Sequence, residues 1–384
     1  MSRRDRFDVL ERFAPLFEAP EPSFEGFLRR RDRKRRNQRI AAGVVGIALF
    51  VAAVWIVTTG GPFDRSETPA TSGGTGPSGG QLPEEPNVDY VLDLNTGEAT
   101  RLPKAIIRSL GEDLSPRAAP SGGRYAASPD GSTLAYVALG DDKVPQILVA
   151  GIDGTNVRQV THDPNGATSP AWSPDRERIA YVGGDGDEGY GLYVLDLAGG
   201  EATPILGGVR PWAQPQFMSD GSSILYTAGT GQVPVLRTVP VAGGKSTLFI
   251  EPGPGLNDAG NGSVSPDGSL VTYLGSGSPL APDGSPLTYH GTEITHAGPG
   301  RFLSNVDGSG FRLLPGYETN PAGAWSPDGS RIVDLACRGI ENAENCTPTN
   351  AVIVVDVATG DASQILALGV GAIWLDDHTL LIDV

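Results

Sequence analysis

Histidine is scarce in this chain of 384 residues, and the four histidines form no recognisable catalytic arrangement. Acid–base or nucleophilic catalysis needs a base within hydrogen-bond reach of its partner. The closest two, His290 and His296, have no serine or carboxylate beside them in a recognisable spacing, and His162 and His378 lie far away. This pattern favours surface positions in loops over a histidine-based active site.

Cysteine is scarcer still, because Cys337 and Cys346 are the only two in the chain. Neither has a further cysteine or a histidine nearby that would complete a metal site. The pair predicts a disulfide that closes a short loop in an oxidising compartment. The alternative is two inert thiols.

Basic residues are almost missing from the larger part of the chain. Residues 1–39 contain 12 of the 29 Lys and Arg and 7 of the 45 Asp and Glu, which leaves 17 basic against 38 acidic residues beyond Arg39. Such an acidic domain repels nucleic acid phosphates and anionic lipid surfaces. The sequence therefore does not predict DNA or RNA binding by this domain.

Only one long hydrophobic run is present, the eighteen residues from Ile40 to Val57. At about 1.5 Å per residue a helix of this length spans roughly 27 Å, close to the hydrocarbon thickness of a bilayer. A basic stretch over residues 29–39 precedes it, and Trp55 lies near its other end. The positive-inside rule then predicts a transmembrane helix over 40–58, with residues 1–39 as a basic cytoplasmic tail. A cleaved signal peptide is the alternative, and it fits less well because the preceding basic region is long.

Residues 59–87 are rich in Gly, Ser, Thr and Pro, which predicts a flexible linker. A G-x-S-x-G match at residues 76–80 falls in this linker. A nucleophile elbow requires a strand before it and a helix after it, so this match does not indicate a hydrolase.

What the chain does have is glycine and proline, 53 and 32 residues, and a repeated turn. The first copy is Ser128-Pro129-Asp130-Gly131, here called the SPDG turn. Pro fixes φ, Asp accepts hydrogen bonds from nearby N–H groups, and Gly adopts a positive φ. The later copies, some degenerate, begin at Ser173, Met218, Ser265, Ser326 and Leu375.

Apolar strands flank every SPDG turn, and a second strand pair with its own turn lies between successive copies. The copies begin 45 to 61 residues apart, near the length of a four-stranded propeller blade. The region opens at Asp89 with a strand pair of the second kind and ends with a pair of the first kind from Trp374 to Val384. Joined together, these two half-blades predict a closed, all-β, six-bladed β-propeller over residues 88–384 with velcro closure, after one transmembrane helix.

These motifs resemble the TolB-type, WD-like β-propeller family, with its SPDG turn and D-x-x-[GT]-G hairpin. The resemblance covers about residues 89–384, although Arg176 replaces the turn glycine, Met218 replaces the serine, and the fourth repeat carries an insertion from Gly275 to Gly300. No α/β domain of the kind that accompanies the propeller in TolB is visible. The resemblance implies a binding platform, or a lid of the kind found on prolyl oligopeptidases.

The resemblance also implies two unlike faces, the SPDG face and an opposite loop face. The loop face is expected to carry the binding surface because its connections are long and acidic. Its candidate residues are Asp141, Asp142, Asp185, Asp187, Glu188, Tyr289, His290 and His296. The stretch Asp185–Glu188 is a weak candidate for Ca²⁺ because its spacing does not match an EF-hand. No cofactor is expected otherwise.

The sequence thus predicts a non-catalytic, extracytoplasmic binding or scaffold propeller tethered to the cytoplasmic membrane. It would act as a sensor if the tail has a partner. The expected ligand on the loop face is a protein, a peptide or a cell-wall polymer. The alternative is a hydrolase or lyase with its site in the propeller channel.

Overall fold

The computed structural model describes twelve stretches of the chain, and the predicted tail, membrane helix and linker lie outside them. The described residues are 89–110, 123–140, 142–184, 189–211, 213–229, 233–281, 283–289, 292–294, 297–314, 324–338, 347–366 and 371–383. They form an all-β, six-bladed β-propeller, as the repeats predict.

The first part of the chain contains one helix and two strands of one blade, followed by two complete blades. These elements are β1 (Tyr90–Asp93), β2 (Ala99–Arg101), α1 (Lys104–Leu110), β3 (Tyr125–Ala127), β4 (Thr133–Leu139), β5 (Pro145–Gly151), β6 (Arg158–Gln159), β7 (Ala167–Trp172), β8 (Arg178–Gly184), β9 (Tyr190–Asp196) and β10 (Ala202–Val209). The strands of each complete blade pair antiparallel in chain order.

The remaining strands form the third, fourth and fifth blades, the inner half of the sixth blade and a separate two-stranded hairpin. They are β11 (Gln216–Phe217), β12 (Ser223–Ala228), β13 (Val235–Pro240), β14 (Thr247–Leu248), β15 (Gly260–Val264), β16 (Leu270–Gly277), β17 (Thr288–Tyr289), β18 (Thr292–Glu293), β19 (Ala297–Asn305), β20 (Arg312–Leu314), β21 (Arg331–Arg338), β22 (Thr347–Asp356), β23 (Ala362–Leu366), β24 (Gly371–Trp374) and β25 (Thr379–Asp383). In the fifth blade a single bridge between Trp325 and Ile332 takes the place of the innermost strand.

The sixth blade is assembled from both ends of the described region. Its strand order is β2-β1-β25-β24, so the two outer strands come from residues 90–101 and the two inner strands from residues 371–383. β1 and β25 are antiparallel, with Tyr90 opposite Ile382 and Asp93 opposite Thr379.

The hydrophobic core is divided among the interfaces between successive blades. In the described part of the chain, six apolar clusters each join two neighbouring blades, including the first and the sixth. Alternate side chains of one strand serve opposite interfaces, because successive residues of a strand point to opposite faces. Leu134 and Tyr136 pack toward the sixth blade, and Ala135 between them packs toward the second. Strands covered on both faces therefore appear in the sequence as continuous apolar runs.

One element, the helix α1, is not anticipated by the repeat pattern. It follows Pro103 in the connection that leads from the sixth blade to the first. Ile106 and Leu110, four residues apart, are buried in the same cluster as Tyr136. Ser109 also shares a hydrogen bond of 2.6 Å with the Tyr136 hydroxyl. The spacing of Ile106 and Leu110 after a proline was the available signal for this helix.

The insertion in the fourth repeat contributes to the core where the structure describes it. β17 and β18 pair as a small hairpin between β16 and β19. Leu287 and Ile294 are buried in the cluster between the third and fourth blades. The Leu287 amide donates to the Pro279 carbonyl at 3.0 Å.

Candidate functional site

The SPDG turns that begin with serine, in four of the six repeats, are held by that serine and the turn aspartate. In the first blade the Ser128 hydroxyl donates to Asp130 at 2.7 Å and accepts from the Thr133 amide at 3.0 Å. Asp130 also accepts from the Ser132 amide and hydroxyl. The hydrogen bond from Ser128 is the largest of the effects that lower the pKa of Asp130 to about 2. These contacts fix the point where each innermost strand reverses.

Glycine is required at the turn of the first blade but not at that of the second. Gly131 has φ of 69°, and a Cβ there would overlap the carbonyl oxygen of Leu375 in the sixth blade. Arg176 occupies the equivalent place with φ of 66° and forms an ion pair with Asp130 across the blade boundary. A non-glycine residue in this conformation is strained.

Three tryptophans, each one residue before a turn, connect neighbouring blades. The Trp172 indole N–H donates to the Ala126 carbonyl at 3.1 Å, and Trp325 donates to Ser263 at 3.2 Å. Trp374 donates to the Ala324 carbonyl at 3.2 Å. In each case the acceptor lies two residues before the turn of the preceding blade. In the third blade Gln216 instead bonds both the carbonyl and the amide of Val264.

The innermost strands and their turns enclose a cavity of about 320 Å³ at the SPDG end of the channel. Every blade contributes to it. The lining residues are Ala127, Ser128, Pro129, Ala171, Trp172, Pro174, Gln216, Phe217, Ser219, Ser263, Val264, Ser265, Pro266, Ala324, Trp325, Pro327, Trp374 and Leu375.

The cavity lining combines aromatic rings and prolines with polar groups, namely serine hydroxyls, the Gln216 amide and backbone. None of its lining residues, all of which the structure describes, is an acid, a base or a cysteine. The indole N–H groups are already bonded to backbone, so the rings offer their carbon faces. The Ser263 hydroxyl is buried and has no hydrogen-bond partner among the described residues.

A second, more open depression of about 830 Å³ lies beside the cavity, between the first and second blades. Ser128 and Trp172 line both, so the two are adjacent. Its charged side chains are four carboxylates and two guanidinium groups, from Asp130, Asp153, Asp175, Glu177, Arg158 and Arg176. The SPDG face thus combines an apolar centre with a charged margin.

Most of the predicted loop-face residues lie outside the described residues. This holds for Asp141, Asp185, Asp187, Glu188, His290 and His296. The backbone of Tyr289 forms part of β17, and Asp142 is exposed, with its side chain accepting from the Val144 amide at 3.1 Å. The binding role of the loop face therefore stays a prediction.

The remaining expectations from the sequence also depend on which residues the structure describes. Cys346 lies outside the described residues, so the disulfide with Cys337 stays a prediction. Within the described stretches no group of three or more His, Cys, Asp or Glu side chains is placed to hold a metal ion. No helix among the described residues is long and apolar enough to cross a membrane. The run Ile40–Val57 is not among them.

Comparison with known proteins supports the TolB-type propeller for part of the chain. Residues 90–278 match the family model described as the TolB beta propeller domain. The Tol-Pal system protein TolB of Alkalilimnicola ehrlichii is 35% identical over 78 residues, which cover 20% of this chain and 18% of that protein. An uncharacterized peptidase of Bacillus subtilis, YuxL, is 29% identical over 111 residues, or 27% of this chain and 17% of the peptidase.

The chain thus spans less than a fifth of the length of either curated relative. Among solved structures, TolB from Acinetobacter baumannii superposes with a TM-score of 0.48 and 15% identity. That superposition covers 77% of this chain and 63% of TolB.

Proposed function

We propose that this protein is a non-catalytic binding or scaffold propeller whose cavity on the SPDG face takes an extended, apolar segment of a protein partner. The observation that carries the proposal is the cavity itself, which all six blades line with aromatic rings, prolines and small side chains. The match of residues 90–278 to the TolB beta propeller domain supports a binding role.

The size and chemistry of the cavity favour a peptide segment. A volume of about 320 Å³ is at the lower end for a ligand pocket and suits a few side chains. Trp172 is half-buried at the cavity wall, and proline and aliphatic side chains pack well against aromatic rings.

The charged margin gives such a partner an orientation. A segment that extends beyond the cavity toward the first and second blades meets Arg158 and Arg176 as well as the carboxylates beside them. Polar groups around an apolar centre contribute more to specificity than to affinity. Charge substitutions at this margin should change which partner sequences bind.

The test is photo-crosslinking in intact cells from two matched positions. A photoreactive residue at Ser219, which is exposed at the rim of the cavity, should capture one partner. The same residue at Asp142, exposed on the loop face, should not capture it. A partner captured only from Asp142 would place binding on the loop face and contradict the proposal.

Charge substitutions provide the second arm of this test. Ser219→Arg places a guanidinium at an apolar rim and should weaken the captured partner's binding at least about tenfold, since an unpaired charge is costly to desolvate. Asp142→Arg should leave binding unchanged. Both positions are exposed, so neither substitution should affect folding.

We further propose that the propeller is extracytoplasmic and is anchored by one helix over residues 40–58, with residues 1–39 in the cytoplasm. The apolar run Ile40–Val57 and the arginines before it support this topology. A membrane-impermeant thiol reagent should label a cysteine placed at Ser78 in intact cells and should not reach one placed at Ser23. In the same compartment Cys337 and Cys346 should form a disulfide.

A hydrolase or lyase with its site in the channel is the second candidate. The match to a peptidase of Bacillus subtilis favours it, although it covers only 17% of that protein. The cavity lining weighs against it, because the described lining residues include no group that could act as a general base. Turnover of a captured peptide by purified protein would establish this alternative.

A further inference from the structure

Four polar side chains meet where the sixth blade joins the first. Asp89 precedes β1, Asp383 ends β25, and Arg124 and Tyr125 stand at the start of β3. The Tyr125 hydroxyl donates a hydrogen bond to Asp89. Arg124 Nη1 lies 3.6 Å from Asp89 Oδ2 and 3.9 Å from Asp383 Oδ1. The side chains are largely buried, with exposed fractions of 8% for Asp89 and 17% for Asp383.

Asp383 lies beside one like charge and one opposite charge. The register of β1 and β25, with Tyr90 opposite Ile382, places Asp383 next to Asp89, and Asp383 Oδ1 lies 3.9 Å from Arg124 Nη1. Burial, then the charge of Asp89, raises the pKa of Asp383 to about 7, against the lowering effect of Arg124. Burial also raises the pKa of Tyr125 well above its usual value, so its hydroxyl stays neutral.

The position of the cluster couples it to the join between the two half-blades. β25 and β1 are paired from Tyr90 opposite Ile382 to Asp93 opposite Thr379, and the carboxyl pair lies at one end of this pairing. Arg124 and Tyr125 belong to the first blade, so the same cluster also joins the sixth blade to the first. Repulsion within the pair would act on both contacts.

We propose that the join between β1 and β25 is a proton-dependent latch, closed when Asp383 holds a proton and weakened when that proton is lost. Within the described part of the chain, Asp89, Arg124 and Tyr125 are the charged or titratable groups that face Asp383. The guanidinium limits the repulsion, so loss of the proton weakens the join without abolishing the fold.

The direction of the pH dependence follows from the raised pKa. The native protein holds a proton on Asp383 at pH values where the unfolded chain, with an ordinary aspartate pKa of 3.8, does not. Stability therefore falls as the pH rises toward and through 7. The turn aspartates have lowered pKa values, and that of Asp130 is about 2. The stability that they contribute increases with pH but no longer changes above pH 5. The window from pH 5 to pH 8 isolates the latch.

The test is the melting temperature of the full-length protein between pH 5 and pH 8. The wild-type melting temperature should fall by roughly 5 °C, because the melting temperature of a domain of this size shifts by a few degrees for each kcal/mol lost from the free energy of unfolding. Asp383→Asn, which imitates the protonated acid, should remove this fall. Asp361→Asn, an exposed carboxyl just before β23, is the matched control and should keep it. Arg124→Gln should extend the fall to higher pH.

Hydrogen exchange supplies a local measurement that does not depend on any variant folding. Corrected for intrinsic rates, amides of β1 and β25 should exchange several-fold faster at pH 8 than at pH 5. Amides of β9 in the second blade should not change. A flat melting profile in the wild type, equal slopes for Asp383→Asn and wild type, or acceleration spread over all blades would overturn the proposal.

Discussion

In the four turns that begin with serine, its hydroxyl donates to the turn aspartate and accepts from the first amide of the next strand. Ser128 is buried, so its loss would leave the Thr133 amide without this acceptor and would remove one of the hydrogen bonds to Asp130. The turn aspartates stay ionised because these bonds favour the charged form. The sequence pattern predicts the turn, and the structure shows why serine precedes the proline.

Ser128→Ala should therefore cost about 1 kcal/mol of the free energy of unfolding. It should also raise the pKa of Asp130 from about 2 toward its ordinary value, because the largest lowering effect is removed. A lowered pKa contributes stability that is present at neutral pH and is lost as the pH falls toward 2. NMR titration of the Asp130 carboxyl and urea unfolding would measure the two effects. An unchanged pKa would mean that Ser132 alone holds the carboxylate.

Arg176 and Gly131 stand at equivalent places but should respond oppositely to substitution. Arg176→Gly relieves a left-handed backbone and removes an exposed ion pair, two effects of about 1 kcal/mol with opposite sign. Its unfolding free energy should stay within about 1 kcal/mol of wild type. Gly131→Ala should cost at least about 3 kcal/mol, because its Cβ overlaps the Leu375 carbonyl as well as requiring positive φ. Equal effects in denaturant unfolding would contradict this account.

At the scale of elements, the sequence predicts strands better than it predicts the contacts between blades. Apolar runs such as residues 133–139 form strands because both faces are covered, and the repeat fixes their register. The helix α1 was missed because one heptapeptide outside the repeat carries only a weak periodic signal. The buried pair of Arg301 and Asp334 was also missed, since each residue is isolated in its own strand until the blades are packed.

Arg301 and Asp334 make an ion pair between the fourth and fifth blades, and neither side chain is exposed. Arg301 also donates to the Thr272 hydroxyl at 3.1 Å. Either Arg301→Met or Asp334→Leu alone should cost about 3–5 kcal/mol because it leaves one buried charge unpaired. The double variant should recover most of that loss. Additive losses in the double-mutant cycle, measured by denaturant unfolding, would show that the pair is not coupled.

At the scale of the molecule, the blade number follows from counting repeats, but the cavity does not follow from any one of them. The apolar residue before each turn and the proline within it are explained locally as packing and turn formation. In the propeller the six turns lie around the central axis at the same end of the channel. Their apolar residues therefore line one cavity, as Trp172, Phe217, Trp325 and Trp374 do. Loops that differ between repeats are easily identified in a sequence as candidate sites, whereas this cavity is formed by residues at positions that recur in every repeat.

The integrity of the ring should depend on the last strand pair. Deleting residues 375–384 removes β25, which pairs with β1 on one side and β24 on the other. Leu380 and Ile382 would leave the cluster shared with the fifth blade, and Leu381 would leave the cluster shared with the first. Two strand edges and both apolar surfaces would then be exposed to solvent, which promotes edge pairing and aggregation.

The truncated protein should aggregate or be degraded, and size-exclusion chromatography with thermal melting would show it. Asp361→Asn, which alters no strand pairing, should behave as wild type in both measurements. A truncated chain that remains monomeric with an unchanged melting temperature would mean that the propeller is stable as an open ring.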